Sequence, residues 1–212
     1  MKTVSLLTYS ACSAALIVLC LSVPLAAASD IESTVRSFLQ AWYVDRKNPD
    51  ELSRFIAKDN AFAFAPLEPS GSSRAAAPVD PWKEVFAGAF AKSSTGVRFE
   101  GPKSLSEAIE FPPAKNPLAL GPTNNRHAFM SGEFAIFKPE ALPKGSVLPA
   151  SKPSGKDPVA NFLYHLAQTY PDRLYIAIYA TKGAALLRET SILYWIQEDN
   201  AWKLAAFMGT NW

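Results

Sequence analysis

The sequence predicts an α+β domain. Apolar residues recur at helical spacing through its first third, strand-like runs joined by short turn signals fill its last third, and no uninterrupted helix–strand alternation marks a parallel sheet. Composition agrees with one ordinary globular unit. The chain has 212 residues, of which 49% are hydrophobic and 19% charged, with a formal net charge of +2. That excludes a disordered chain, which needs low hydrophobicity and high net charge. It also excludes a nucleic-acid binder with a concentrated basic footprint.

Residues 1–28 read as a cleavable export signal. Lys2 gives a positive start, Leu6 to Val23 is mostly apolar, Pro24 interrupts, and Ala26-Ala27-Ala28 offers an A-x-A site. Ser10, Ser13 and Ser22 interrupt the apolar stretch, which argues against a retained membrane anchor, and Leu19 stands where a lipidated Cys20 would need a small residue. The expectation is a secreted or periplasmic protein, free of the membrane after cleavage, comprising a single domain over 29–212. Cleavage also removes Cys12 and Cys20, both of the chain's cysteines. The 184 residues left are nearly neutral and must be stabilised by a core rather than by disulfides.

The first predicted helix spans about 30–43, with Ile31, Val35, Phe38, Leu39 and Trp42 forming one stripe and Ser29 with Glu32 a possible capping box. Asn48-Pro49 starts a second helix carrying Leu52, Phe55 and Ile56. A short strand follows over 60–65, with Phe62 and Phe64 alternating with alanines. Four prolines and a Ser-Gly-Ser-Ser run make 66–81 a loop, and Asp80-Pro81 opens a third helix through Trp82, Val85, Phe86 and Phe90. Strand-like pieces lie at 97–100, 106–111 and 127–138. Residues 139–156 read as a proline-rich surface insertion, and Asp157-Pro158 starts a last helix with Val159, Phe162, Leu163 and Leu166.

The C-terminal region is predicted as a three-strand antiparallel meander over 173–181, 184–198 and 201–210, turning at Lys182-Gly183 and Asp199-Asn200. Two-residue turns imply a register. One face then carries Leu174, Ile176, Ile178, Leu193, Trp195, Leu204 and Met208, together with Glu189 and Ser191. The other carries Tyr175, Tyr179, Thr190, Tyr194, Lys203 and Phe207 and is expected to meet water or a second subunit, unless a bulge shifts part of the assignment.

In that register Glu189 sits on an apolar face, where a carboxylate costs several kcal/mol unless paired or protonated. Two readings stay open: a pocket acid or base, or a residue turned outward or paired with Arg126 or Arg173. His127 beside Glu133 or Glu189 is a candidate general base, and otherwise an ordinary polar histidine. Trp42, Tyr43 and Trp195 are candidate pocket-lining aromatics, with Ser191 and Glu133 as polar companions. No metal site or cofactor is predicted. The two histidines lack ligand spacing, and there is no G-x-S-x-G elbow, P-loop or dinucleotide fingerprint.

The segments VRSFLQAWYVDRKNPDELSRFIAKDNAFAF and SILYWIQEDNAWKLAAFMGT resemble the opening helices and final hairpin of SnoaL-like members of the NTF2-like superfamily. As in that family, a tryptophan and a lysine, here Trp202 and Lys203, open the last strand after an acidic turn. The resemblance covers 30–65 and 173–212 and implies a cone of curved antiparallel sheet wrapped on three or four helices around an apolar pocket. Its steroid-isomerase branch uses a tyrosine and two acids, and the first strand here, Ala61 to Phe64, holds no acid.

Two expectations of function follow. One is a non-enzymatic module that binds a small apolar ligand or forms a homodimer through its tyrosine-bearing outer sheet face. The other is a small-molecule isomerase or lyase using Glu189.

Overall fold

A computed structural model describes residues 30–47, 49–58, 62–64, 101–111, 127–154, 157–182 and 189–211. The predicted export signal, the cap at Ser29, the helix after Asp80-Pro81, the strand at 97–100 and the glycine of the Lys182-Gly183 turn lie outside the described residues.

The first helix forms over 30–39 and buries the predicted stripe of Ile31, Val35, Phe38 and Leu39 completely. It then widens into a π-helical turn, Gln40–Val44, closed by Asp45 N–H donating to the Gln40 carbonyl at 3.0 Å. The wider turn keeps Ala41 and Trp42 in the core. The second helix is short, Pro49–Leu52 followed by a 3₁₀ turn Ser53–Phe55, and it buries Leu52 and Phe55. From there the chain runs along the last strand. Ile56 bridges Leu204 in parallel, and β1 (Phe62–Phe64) pairs in parallel with Ala206–Met208.

Three expectations for the middle of the chain are corrected. Within 106–111, only β2 (Ile109–Glu110) is a strand, and Leu105–Ala108 is a helical turn. Its cause is a capping box. Ser104 Oγ accepts from Glu107 N–H at 3.3 Å, and Glu107 Oε2 accepts from Lys103 N–H at 2.8 Å. Residues 127–138 are a hairpin rather than one strand, β3 (His127–Met130) and β4 (Ala135–Phe137), folded at Ser131 and Gly132. Ser131 holds the turn, with its Oγ accepting from the N–H groups of Glu133 and Phe134 at 3.2 Å each. The insertion over 139–156 is only partly a surface segment, because Leu142 and Val147 are buried and Tyr194 donates its hydroxyl proton to the Val147 carbonyl at 2.7 Å.

The last helix, Pro158–Thr169, starts as predicted. Asp157 Oδ1 accepts from the N–H groups of Val159 and Ala160 at 2.9 and 3.1 Å, and Pro158 occupies the first helical position. The meander is β5 (Leu174–Thr181), β6 (Glu189–Glu198) and β7 (Ala201–Asn211). Asp199 and Asn200 turn between the last two with φ of 48° and 63°, the paired positive angles of a type I′ hairpin. The strand order is β1-β7-β6-β5-β4-β3, with β2 also pairing β5. The sheet is antiparallel except at β1, and it does not close on itself. The fold is therefore α+β, with the sheet bent by bulges at Ala128 and Ala205.

The register between β5 and β6 overturns the predicted faces, whereas the two-residue turn at Asp199-Asn200 pairs Glu198 with Ala201 and Trp195 with Leu204 as expected. Tyr175 pairs with Trp195, Ala177 with Leu193 and Tyr179 with Ser191, so odd-numbered residues of both strands share a face. A Lys182-Gly183 turn would have placed even-numbered residues of β5 opposite odd-numbered ones of β6. Both faces are buried. The front face, with Tyr175, Ala177, Tyr179, Leu193, Trp195, Trp202, Leu204 and Phe207, clusters with the first helix. The back face, with Leu174, Ile176, Ile178, Ile192, Tyr194, Ile196, Ala206 and Met208, clusters with Val159, Leu163 and Leu166 of the last helix and with Leu142 and Val147. The tyrosines expected on an outward face are thus inside the chain: Tyr179 and Tyr194 are 0% exposed and Tyr175 6%. They offer no surface for a second subunit.

Candidate functional site

The front face gathers most of the aromatic candidates. Trp42 packs edge-on against Phe207 with ring centroids 5.3 Å apart and lies 4.7 Å from the Tyr43 ring. Tyr43 reaches Tyr179 across the helix–sheet seam, with the hydroxyls 3.1 Å apart and the rings edge-to-face. Ser191 stands opposite Tyr179 on β6 and is 1% exposed. Four residues along the same strand, Trp195 is fully buried and packs edge-on against Phe38 at 5.5 Å. Trp202 on β7 packs at 90° to Tyr175, with centroids 5.2 Å apart.

This aromatic wall has an electrostatic irregularity. Ser191 Oγ, Trp195 Nε1 and Trp202 Nε1 are buried without a hydrogen-bond partner. More than nine in ten buried polar groups in native proteins are partnered, and an unpartnered one costs about 1–3 kcal/mol. All three belong to the front face by register or packing.

The acid–base candidates are not brought together. His127 opens β3 opposite Phe137, which in turn pairs with Ile176, whereas Glu189 opens β6 opposite Asn211. Two strands and about five residues of register separate them, which puts their backbones roughly 20 Å apart. The environment of the Glu189 side chain lies outside the described residues. Glu133 is held apart from the aromatic wall's unpartnered groups by its own ion pair. It sits in the β3–β4 turn with its side chain 23% exposed and faces Arg36 at 3.9 Å. Arg36 also pairs with Glu32 at 3.6 Å and lies over the Phe134 ring at 5.1 Å.

Among the described residues no cluster of three metal-ligating side chains occurs, and His165 is exposed on the last helix near Thr169. The clearest pKa perturbation is at Tyr194 on the back face, where burial pushes the hydroxyl far above the ordinary tyrosine range. A polar concavity of about 620 Å³ lies at the π turn, lined by Ser37, Gln40, Asp45, Lys47, Asp50, Glu51 and Arg54. Part of its charge is answered locally. Gln40 Nε2 donates to Asp45 at 3.1 Å, and Lys47 pairs with Glu51 at 3.1 Å.

Sequence reasoning selected Trp42, Tyr43, Ser191 and Trp195 but missed Tyr179 and Trp202. The signal was present in the LYIAIYA run of β5, which is apolar at every position rather than alternating. The chain matches no family model, and comparison with curated proteins and with solved structures returned no match.

Proposed function

We propose that the protein is an exported NTF2-like domain that binds a small, largely apolar molecule at the front face of its sheet and does not transform it. The observation that carries this reading is the set of buried, unpartnered polar groups, Ser191 Oγ, Trp195 Nε1 and Trp202 Nε1, in a wall otherwise made of aromatic rings. The order of elements from the first helix through β1 to the closing meander, and the bulges that bend the sheet, are compatible with a curved-sheet cone. Export rests on the apolar Leu6 to Val23 segment and the alanines before Ser29. The isomerase or lyase alternative loses its second group, because His127 and Glu189 stand on distant strands.

The test is native mass spectrometry of the purified mature protein, followed by titration with the neutral dye 6-propionyl-2-(dimethylamino)naphthalene monitored by tryptophan fluorescence. A co-purified small molecule, or saturable dye binding weakened in Trp195→Phe, is the expected result. A bare mass together with no saturable binding overturns the reading.

A further inference from the structure

The chemistry of the unpartnered groups sorts the ligands that the front face would accept. An indole N–H donates and cannot accept, and a serine hydroxyl does either. Trp195 and Trp202 therefore ask for acceptors only, and Ser191 is compatible with one. Trp195 pairs with Leu204, which makes Trp202 its diagonal neighbour across the β6–β7 ladder, a spacing within reach of aromatic side chains. Ser191 lies four residues from Trp195, about 13 Å along the strand, and opposite Tyr179. The face thus has a donor at each end of an aromatic wall.

Charge narrows the class further. The buried polar or charged residues among those described are Thr190 and Ser191, so no buried cation faces this wall. A carboxylate or phosphate bound there would lose its hydration with no buried opposite charge among the described residues to replace it, which costs far more than a neutral dipole. An ammonium would likewise lose its hydration, and it would meet two indole N–H groups that cannot accept its protons.

We infer that the front face is selective for neutral molecules whose oxygens only accept hydrogen bonds, such as ketones, esters or tertiary amides on an apolar body. Trp195, with Trp202 beside it, and Ser191 are the recognising donors. This inference rests on the ligand-binding reading above and names its chemical class. Each donor that finds an acceptor oxygen favours it over an isosteric hydrocarbon by about two- to tenfold.

The test compares three probes of one shape by isothermal titration calorimetry on the mature protein: 2-acetylnaphthalene, 2-isopropylnaphthalene and 1-(2-naphthyl)ethylammonium. The ketone is expected to bind at least about fivefold more tightly than the hydrocarbon, and the ammonium most weakly. Ser191→Ala and Trp195→Phe should each lower the ketone-to-hydrocarbon ratio while leaving hydrocarbon affinity within about twofold. Circular dichroism confirms that each variant is folded, and Ser191→Ala, which removes one atom, serves should Trp195→Phe unfold. Binding of ketone and hydrocarbon with equal affinity overturns the selectivity and leaves the ligand-binding reading standing, as would be found if water met the donors. Failure of every probe to bind overturns both. A ketone preference that survives in both variants overturns the assignment of the donors.

Discussion

Tyr194→Phe isolates the bond that ties the proline-rich segment to the sheet. The Tyr194 hydroxyl is fully buried and donates to the Val147 carbonyl at 2.7 Å, between the back face and a segment whose other buried contact is Leu142. Deleting the oxygen leaves that carbonyl unpaired in an apolar cluster, which costs about 1–3 kcal/mol. For a domain of this size the loss corresponds to a fall in Tm of roughly 2–12 °C.

The same hydroxyl sets an alkaline signature. Burial raises its folded-state pKa far above the ordinary value near 10, so in strong base the unfolded chain releases a proton that the folded chain retains. Stability is then fully present below pH 10 and falls above it by about 1.4 kcal/mol per pH unit from this group. Urea denaturation at pH 8, 10 and 11 reads both effects. The variant should be weaker at pH 8 and should lose less than wild type between pH 10 and 11. Amide exchange over 142–150 should also quicken in the variant. Equal stability at pH 8 with an equal alkaline slope would refute the bond and the burial that produces it.

Three further outcomes follow from local geometry. Asp157→Ala removes an acceptor shared by two N–H groups at the start of the last helix and should cost about 1 kcal/mol in urea denaturation, while Asp157→Asn retains most of it. Asn200→Val places a β-branched residue at φ 63° and should cost about 1–2 kcal/mol, whereas Asn200→Gly is tolerated; thermal melts separate the two. A Cβ added at Gly101 would meet the Arg46 guanidinium, the mobile end of an exposed side chain. Gly101→Ala should therefore cost less than about 1 kcal/mol, and prior Arg46→Ala should abolish that cost in a double-mutant cycle.

What was legible in the sequence was the local chemistry. Asp157-Pro158 and Asp199-Asn200 each encode their element within a few residues, and the structure places a capped helix and a type I′ turn there. The stripe from Ile31 to Trp42 is legible for the same reason, since its spacing alone defines a buried face. Two local signals went unread. Ser104 with Glu107 is a capping pair, and Ser131-Gly132 is a turn dipeptide inside an apolar run. At Leu142 and Val147 the difficulty was physical. Two apolar residues among prolines and lysines carry no periodicity, and only the sheet they pack against makes them core.

Register across β5 and β6 was not legible at all, and the reason concerns the site directly. In a strand with one wet face, slipping by one residue would expose the apolar set, so alternation selects the pairing. Leu174 through Ala180 and Ile192 through Ile196 are apolar on both parities, and either register buries an equally oily surface. Turn length must then decide, and the observed pairing of Ala180 with Thr190 leaves more chain between the strands than two residues. That choice moves Tyr179 from a presumed outer face to the front face, where it meets Tyr43 and stands opposite Ser191. It also decides which β5 residues share a face with Ser191 and the Trp195 indole. The register thus fixes which β5 side chains border the donors on which ligand selectivity depends. Ser191→Ala, which removes a hydroxyl and leaves every apolar contact in place, probes the proposed recognition with one atom.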